Sequence, residues 1–164
     1  MKLIVRRDKL DEIQGVRHKI EASERFLKAN PKFQGKVVPI QVTLQTTESN
    51  ELAGSVSDEV TFSPYLVLLT VADAFTVTSL REGMALRTHK YVECQEERKR
   101  APIPMYFGFR SCFAVNPYDT RGTAKAIYQA LTMSNEEAAS RWQGLQNHVV
   151  TQTAQAFVTS FLTR

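Results

Sequence analysis

The chain has 164 residues, of which 43% are hydrophobic and 23% are charged, and its formal net charge is +4. This length and composition predict one soluble domain with an ordinary buried core and argue against two substantial domains. The small positive charge lacks the clustering of a dedicated nucleic-acid binder, and the longest apolar stretch is too short to span a bilayer. We therefore expect neither nucleic acid nor a membrane as a partner.

The cysteines and the densest basic run give further expectations. Cys94 and Cys112 are far apart without CxxC spacing, and no signal peptide precedes the first strand-like run. This pattern predicts a cytoplasmic protein with reduced thiols. The basic run at residues 96–100 fits a helix end whose Lys99 and Arg100 face the negative end of the helix dipole. A phosphate-binding patch is the alternative for this run.

The first third of the chain predicts two strands and a helix. Residues 2–6 and 36–42 have the β-branched composition of strands, and Pro39 favours an edge position for the second strand because it lacks a ladder donor. The helix between them is expected to end near Pro31. Its spacing directs four apolar residues to the core: Val16, Ile20, Phe26 and Leu27.

The middle of the chain continues the alternation of strand and helix. Residues 46–60 read as loop plus helix, and Ser63 followed by Pro64 predicts a helix N-cap and first turn. Strands are expected at residues 74–79 and 112–115, with a helix from about Leu86 to Glu97 between them. Residues 100–111 read as an irregular loop. The apolar positions of the helix after Pro64 are Tyr65, Leu68, Leu69 and Ala72.

The last third, residues 120–164, is predicted to be helical. Asp119 or Thr120 caps one helix, and Ser134 with Glu137 forms a capping box for the next, which buries Trp142 and Leu145. The first helix presents Ala124, Ile127, Tyr128 and Leu131 on one face, and the last is outlined by Val150, Ala154, Phe157 and Phe161. Strands separated by helices predict an α/β fold with a Rossmann-like parallel sheet and flanking helices, formed by residues 1–164 as a single domain.

Two strand-to-helix turns are candidate anion sites, because helix N-termini at the carboxyl ends of parallel strands accept phosphate. The first contains Lys9, Asp11 and Gly15, and the second contains Glu82 and Gly83 before the amides of residues 84–86. By pattern alone, a single strand-glycine-helix turn of this kind is structural more often than it is a binding site. Dinucleotide, Walker and nucleophile-elbow motifs are absent, and His18, His89 and His148 are scattered, so we predict no cofactor and no metal site.

Four segments resemble, in order, the C-terminal donor-binding half of the trehalose-6-phosphate synthases, glycosyltransferase family 20. They are DKLDEIQGV, KVVPIQV, VADAFTVTSLREGMALRTHKYVECQEE and AVNPYDTRGTAKAIYQALTMS. The resemblance is strongest to the fungal subunit type, in which a synthase-like domain precedes a trehalose-phosphatase domain or has a regulatory role. The aspartate-x-aspartate phosphatase signature is absent.

The resemblance implies that the chain is one lobe of a two-lobed GT-B fold. Enzymes of this family transfer glucose from UDP-glucose to glucose 6-phosphate between the two lobes, with retention at the anomeric carbon. It implies diphosphate contacts at Lys9 and Gln14, a sugar-hydroxyl acceptor at Glu82 beside Gly83, and a ribose contact at Lys90. Backbone contacts are implied at Met84, Ala85 and Leu86.

This sequence departs from the family pattern at the implied contacts. Active synthases carry arginine and lysine at the positions of Lys9 and Gln14. At the position of Lys90 they carry a glutamate that binds the ribose, and a lysine side chain cannot accept a hydrogen bond. Asparagine is usual at Ala85, and aspartate is commonest at Glu82. We therefore expect UDP-glucose to bind at most weakly, and we assign no catalytic residue.

Whole segments of the family pattern are also missing. No N-terminal lobe precedes Met1, a strand and loop are absent between Val60 and Thr61, and APIPMYFG replaces a Ser-Glu-Phe-(Thr/Ala)-Gly loop. We expect a truncated chain that is inactive alone. Three readings stay open: a donor-type domain of trehalose synthesis, a non-catalytic interaction module of the trehalose synthase/phosphatase complex, and a degenerate fragment.

Overall fold

The computed structural model describes residues 1–9, 14–44, 62–79, 86–100, 103–104, 112–151 and 153–163. Its strands are β1 (Lys2–Lys9), β2 (Val37–Leu44), β3 (Ala74–Val77) and β4 (Ile103–Pro104). All pairings are parallel, in the order β2-β1-β3-β4. The helices are α1 (Val16–Ala29), α2 (Phe62–Val71), α3 (Leu86–Cys94), α4 (Thr120–Thr132), α5 (Asn135–Thr151) and α6 (Ala154–Leu162). The α/β, Rossmann-like prediction is confirmed.

Helices cover both faces of the sheet, so Ile4 and Val5 of β1 and all four residues of β3 are buried. Ile4 of β1 packs in one core cluster with Phe26 of α1 and Ile127 of α4. Val5, the next residue, faces the opposite side and packs with Tyr65 of α2 and other residues of α2 and α3. Strand side chains alternate between faces, so two adjacent residues of one central strand anchor two separate helix layers.

Strand β2 lies at the edge of the sheet, as Pro39 predicts. Pro39 is aligned with Ile4 of β1, and no further strand pairs with the other side of β2 in the described part of the chain. A proline is tolerated here because the missing N–H is not required by a second ladder.

The predicted fourth strand is wrong. Residues 112–115 are not a strand, and β4 is Ile103–Pro104, inside the segment predicted to be irregular. Cys112 packs against Trp142 and Leu145 of α5, and Phe113 and Val115 pack against the α1–α4 core. The run is apolar because it is buried between helices, so its composition did not require a ladder.

Other expectations fall on residues outside the described ranges or at the ends of elements. Residues 46–60 and most of 100–111 lie outside the described residues, and the single-domain boundary stays a prediction. Ser63 lies inside α2 and is not its N-cap, since the helix begins at Phe62. Val150 belongs to α5, and α6 begins after Thr153, whose hydroxyl accepts from the Ala156 amide at 3.1 Å.

The cap of α4 is confirmed and explains a nearby glycine. One carboxylate oxygen of Asp119 accepts from the amides of Arg121 and Gly122, each at 3.0 Å. A Cβ at Gly122 would lie 2.5 Å from the other carboxylate oxygen, so a side chain there would displace the cap. The predicted capping box of α5 is half formed, because Ser134 accepts from the Glu137 amide while the Glu137 carboxylate pairs with Arg141.

The C-terminal end of α2 is capped by side chains that follow α3. Gln95 is fully buried and its amide nitrogen donates to the carbonyls of Leu69, Thr70 and Ala72 at 2.6, 3.1 and 3.2 Å. Arg98 donates to the last two of these carbonyls. The basic run predicted to end its own helix therefore includes a side chain that satisfies the end of a neighbouring helix.

We expect Gln95→Leu to lower the free energy of unfolding by about 1–2 kcal/mol. The substitution keeps the volume but removes the donor to the Leu69 carbonyl, whereas Arg98 still serves Thr70 and Ala72. Urea denaturation measures the difference. Gln143→Leu is the matched control, since Gln143 is exposed and its amide nitrogen donates to Asn147 on the same helix. Equal stabilities of the two variants would contradict the capping role of Gln95.

Cys94 and Cys112 are both thiols, and burial raises the pKa of each. The pKa of buried Cys112 rises to about 11, and Cys94 is only half-buried. We expect iodoacetamide to alkylate Cys94 well before Cys112 at about pH 8, because the thiolate is the nucleophile. Mass spectrometry of timed samples shows the order, and in denaturant the two rates should converge. Faster labelling of Cys112 in the native protein would contradict this order.

Candidate functional site

A buried polar cluster lies where β1 and its neighbours end. Asp8, near the end of β1, is 1% exposed and accepts from three side chains. Lys19 of α1 and Arg87 of α3 donate to one carboxylate oxygen at 2.6 and 2.9 Å, and Gln41 of β2 donates to the other at 2.8 Å. One carboxylate thus ties two strands to two helices at the carboxyl edge of the sheet.

Arg87 extends this cluster across the sheet edge. Its guanidinium also donates to the Arg7 carbonyl and, at 2.9 Å, to the hydroxyl of Ser79, just beyond the end of β3. The Ser79 hydroxyl in turn bonds the side-chain oxygen of Gln14 at 3.1 Å. A continuous chain of hydrogen bonds therefore runs from Asp8 to Gln14 along the ends of β1 and β3.

The cluster holds more buried positive than negative charge. Arg6 is 2% exposed, donates to the Ser23 hydroxyl, and has a buried Nε that bonds none of the described residues. Burial lowers the pKa of Arg6 to about 10, and it lowers the pKa of Lys19 despite the opposing effect of Asp8. Buried charges are stable only when they are compensated. The three cations Arg6, Lys19 and Arg87 beside the single carboxylate of Asp8 favour the binding of an anion.

The turn from β1 into α1 depends on one glycine. Gly15 immediately precedes α1, with φ of 64°, and its carbonyl accepts the Lys19 amide at 3.2 Å. Residues with a side chain rarely adopt this conformation. The turn places Lys19 on the buried side of α1 and leaves Ile20, predicted to face the core, 58% exposed. The prediction for Ile20 is wrong, because the buried side of α1 carries Lys19, Ala22 and Phe26.

The structure places some of the predicted site residues and leaves others undescribed. Gln14 is in the hydrogen-bonded chain, and Lys9 ends β1 with an exposed side chain. Leu86 begins α3 and Lys90 lies one turn further along it, both exposed. Glu82, Gly83, Met84 and Ala85 lie outside the described residues.

Sequence reasoning missed the residues that organise the cluster, namely Asp8, Lys19, Ser79 and Arg87. The only signal was the charged run at residues 6–9 in a strand that is otherwise apolar.

No three His, Cys, Asp or Glu side chains are grouped to hold a metal ion among the residues that the structure describes. His18 packs edge-on against Tyr118, with 5.6 Å between ring centroids. Of the described helices, none has both the length and the apolar character needed to cross a membrane.

The parallel sheet and its flanking helices have the fold of one lobe of solved GT-B structures. The Escherichia coli trehalose-6-phosphate structure bound with UDP-2-fluoro glucose is similar, with a TM-score of 0.84 at 21% identity over 99% of this chain and 43% of that one. The N-terminal domain of Candida albicans trehalose-6-phosphate phosphatase has a TM-score of 0.82 at 30% identity, over 98% and 40% of the two chains.

The chain belongs to glycosyltransferase family 20, whose profile matches residues 1–61 and 55–164. It is 31% identical to the 56 kDa subunit of Kluyveromyces lactis alpha,alpha-trehalose-phosphate synthase, over 93% of this chain and 38% of the relative. It is also 31% identical to the trehalose synthase complex regulatory subunit TSL1 of Saccharomyces cerevisiae, over 91% of this chain and 16% of that relative. The chain thus spans well under half the length of these relatives.

Proposed function

We propose that the chain is a donor-type lobe of trehalose-6-phosphate synthesis that binds UDP-glucose weakly and does not transfer glucose alone. Its donor contacts would be Lys9, Gln14 and Lys90, with residues 82–86 on the sugar and diphosphate. Thiols at Cys94 and Cys112 agree with a cytoplasmic location.

The observation that carries this proposal is the hydrogen-bonded chain from Asp8 to Gln14. It lies at the carboxyl ends of parallel strands, where open α/β sheets bind ligands, and its excess of buried cations suits a diphosphate. Gln14 supplies no charge, however, and Arg87 is held by Asp8, Ser79 and the Arg7 carbonyl. The arrangement therefore supports an anion site with reduced affinity.

Calorimetry with UDP and UDP-glucose tests the binding proposal. We expect dissociation constants weaker than about 1 mM for both ligands. Micromolar affinity would refute the proposed weakening. A separate assay with UDP-glucose and glucose 6-phosphate should show no trehalose 6-phosphate, because transfer requires both substrates to be oriented in one dry cleft. Measurable turnover by the purified chain would overturn the second half of the proposal.

The second candidate function is a non-catalytic interaction module of a trehalose synthase/phosphatase complex. It is favoured by the 31% identity to a relative named as a regulatory subunit of such a complex. Stoichiometric co-purification with full-length synthase or phosphatase subunits would support this function. Elution as a separate species at concentrations where those subunits assemble would exclude it.

A further inference from the structure

A groove of about 630 Å³ lies between helices α1 and α4. Four basic residues line it: Arg25 and Lys28 come from α1, and Arg121 and Lys125 come from α4. None of the residues that line it is acidic. The groove is separate from the cluster at the strand ends, which contains none of these side chains.

The wall of the groove between the cations is apolar and aromatic. Phe26 is buried beneath it, and Ala124 and Tyr128 are half-buried along α4. Lys32, just after α1, places its ammonium 5.1 Å from the centroid of the Tyr128 ring and 3.4 Å from its hydroxyl. An occupant would therefore meet positive charge on both sides and an apolar surface in the middle.

The charges on α4 are arranged against the stability of the helix. Its sequence contains no aspartate or glutamate, and Arg121 stands in the first turn, where the helix dipole disfavours a cation. Lys125 lies four residues further on, a spacing at which like charges repel. Neither side chain forms a salt bridge in the described part of the chain, whereas Lys28 across the groove pairs with Glu24.

We infer that this groove docks an acidic segment of a partner protein, with carboxylates against the four cations and apolar side chains against Phe26 and Tyr128. Charge complementarity selects an acidic occupant. A flat membrane surface would not enter a groove between two helices, and a nucleic-acid backbone would bring phosphates but no aliphatic group for the apolar wall. An acidic peptide with interspersed apolar residues satisfies both requirements.

This inference names a binding surface for the second candidate function, the non-catalytic interaction module, and it rests on that function. Its test uses a synthetic probe, so it can fail while co-purification with a complex succeeds. The probe is a fluorescein-labelled peptide of about 12 residues in which pairs of glutamates alternate with single leucines. Fluorescence anisotropy with the full chain should show saturable binding that weakens as salt is raised.

The discriminating variants are Lys125→Glu and Lys36→Glu, which change the net charge equally. Lys36 is exposed and does not line the groove. We expect Lys125→Glu to weaken peptide binding at least about tenfold and Lys36→Glu to change it less than about twofold. Circular dichroism confirms that both variants are folded. Equal effects of the two variants would overturn the inference.

Two further probes separate the kind of partner. A peptide with glutamine replacing glutamate should bind at least about tenfold more weakly, and equal binding would overturn the charge argument. A single-stranded oligonucleotide and vesicles of phosphatidylserine should bind more weakly than the acidic peptide. Tighter binding of either one, lost in Lys125→Glu, would assign the groove to nucleic acid or to membranes and overturn the inference.

Discussion

Asp8→Ala is expected to lower the free energy of unfolding by about 3–5 kcal/mol, because it leaves the buried ammonium of Lys19 without the carboxylate that pairs with it. Lys19 is fully buried and only 16% of the Arg87 side chain is exposed, so water cannot replace Asp8. A loss of this size is a large fraction of the roughly 5–15 kcal/mol that stabilises a typical domain. Urea denaturation of the variant and the unmodified chain measures it.

The matched control is Glu21→Ala, which removes an exposed carboxylate from the same helix layer. Glu21 pairs with Arg17 at 3.0 Å, but the two side chains are 43% and 88% exposed. Such pairs contribute about 0–1 kcal/mol, so the control should be nearly neutral. If Asp8→Ala costs no more than Glu21→Ala, the cluster does not hold the strand ends together.

The cost of Asp8→Ala should also depend on pH. Burial lowers the pKa of Lys19 below its ordinary value of 10.5, and Asp8 opposes this shift. Without Asp8 the pKa falls further, so the unfolded chain binds more protons than the folded chain between the two pKa values. The free energy of unfolding of the variant should therefore rise with pH across that interval. If the free energy of unfolding of the variant stays constant or falls as the pH approaches 10.5, Lys19 is not the cation that Asp8 stabilises.

The fold was predictable from the sequence wherever burial and chain pattern agree. Residues 2–6 and 74–79 contain strands, and the apolar residues of these strands pack against helices on both faces of the sheet. The same signal failed at residues 112–115, where Cys112 and Phe113 are apolar because they pack between helices. An apolar composition predicts that a segment is buried, but it does not predict whether the backbone of that segment forms the hydrogen bonds of a β-sheet.

The site was less predictable because its parts meet only in three dimensions. Asp8 and Arg87 are 79 residues apart, and nothing in the local sequence of either one predicts their contact. Lys19 lies beside Ile20 on an amphipathic helix, and hydrophobicity alone chose the wrong one of the two for the core. The resemblance to the synthases implied a donor contact at Gln14, whose side chain bonds the Ser79 hydroxyl, but it could not show that Arg87 reaches the same hydroxyl.

The double variant Gln14→Lys with Lys90→Glu is expected to bind UDP about a hundredfold more tightly than the unmodified chain. Each change would restore a hydrogen bond to or from a charged group, worth roughly 1.5–3 kcal/mol. Two such bonds correspond to about a hundredfold to ten-thousandfold in affinity. Calorimetry with UDP on the double variant, each single variant and the unmodified chain provides the measurement.

The structure favours the lower end of that range. The Ser79 hydroxyl lies 3.1 Å from the Gln14 side-chain oxygen and 2.9 Å from the Arg87 guanidinium. A lysine at position 14 would therefore place its ammonium near another cation, and their repulsion would offset part of the attraction to a diphosphate. Lys90→Met is the matched control, since it removes the charge without adding an acceptor and should leave UDP binding weak. A double variant that binds UDP no better than Lys90→Met would mean that the loss of donor affinity originates in the lobe as a whole, and not at these two positions.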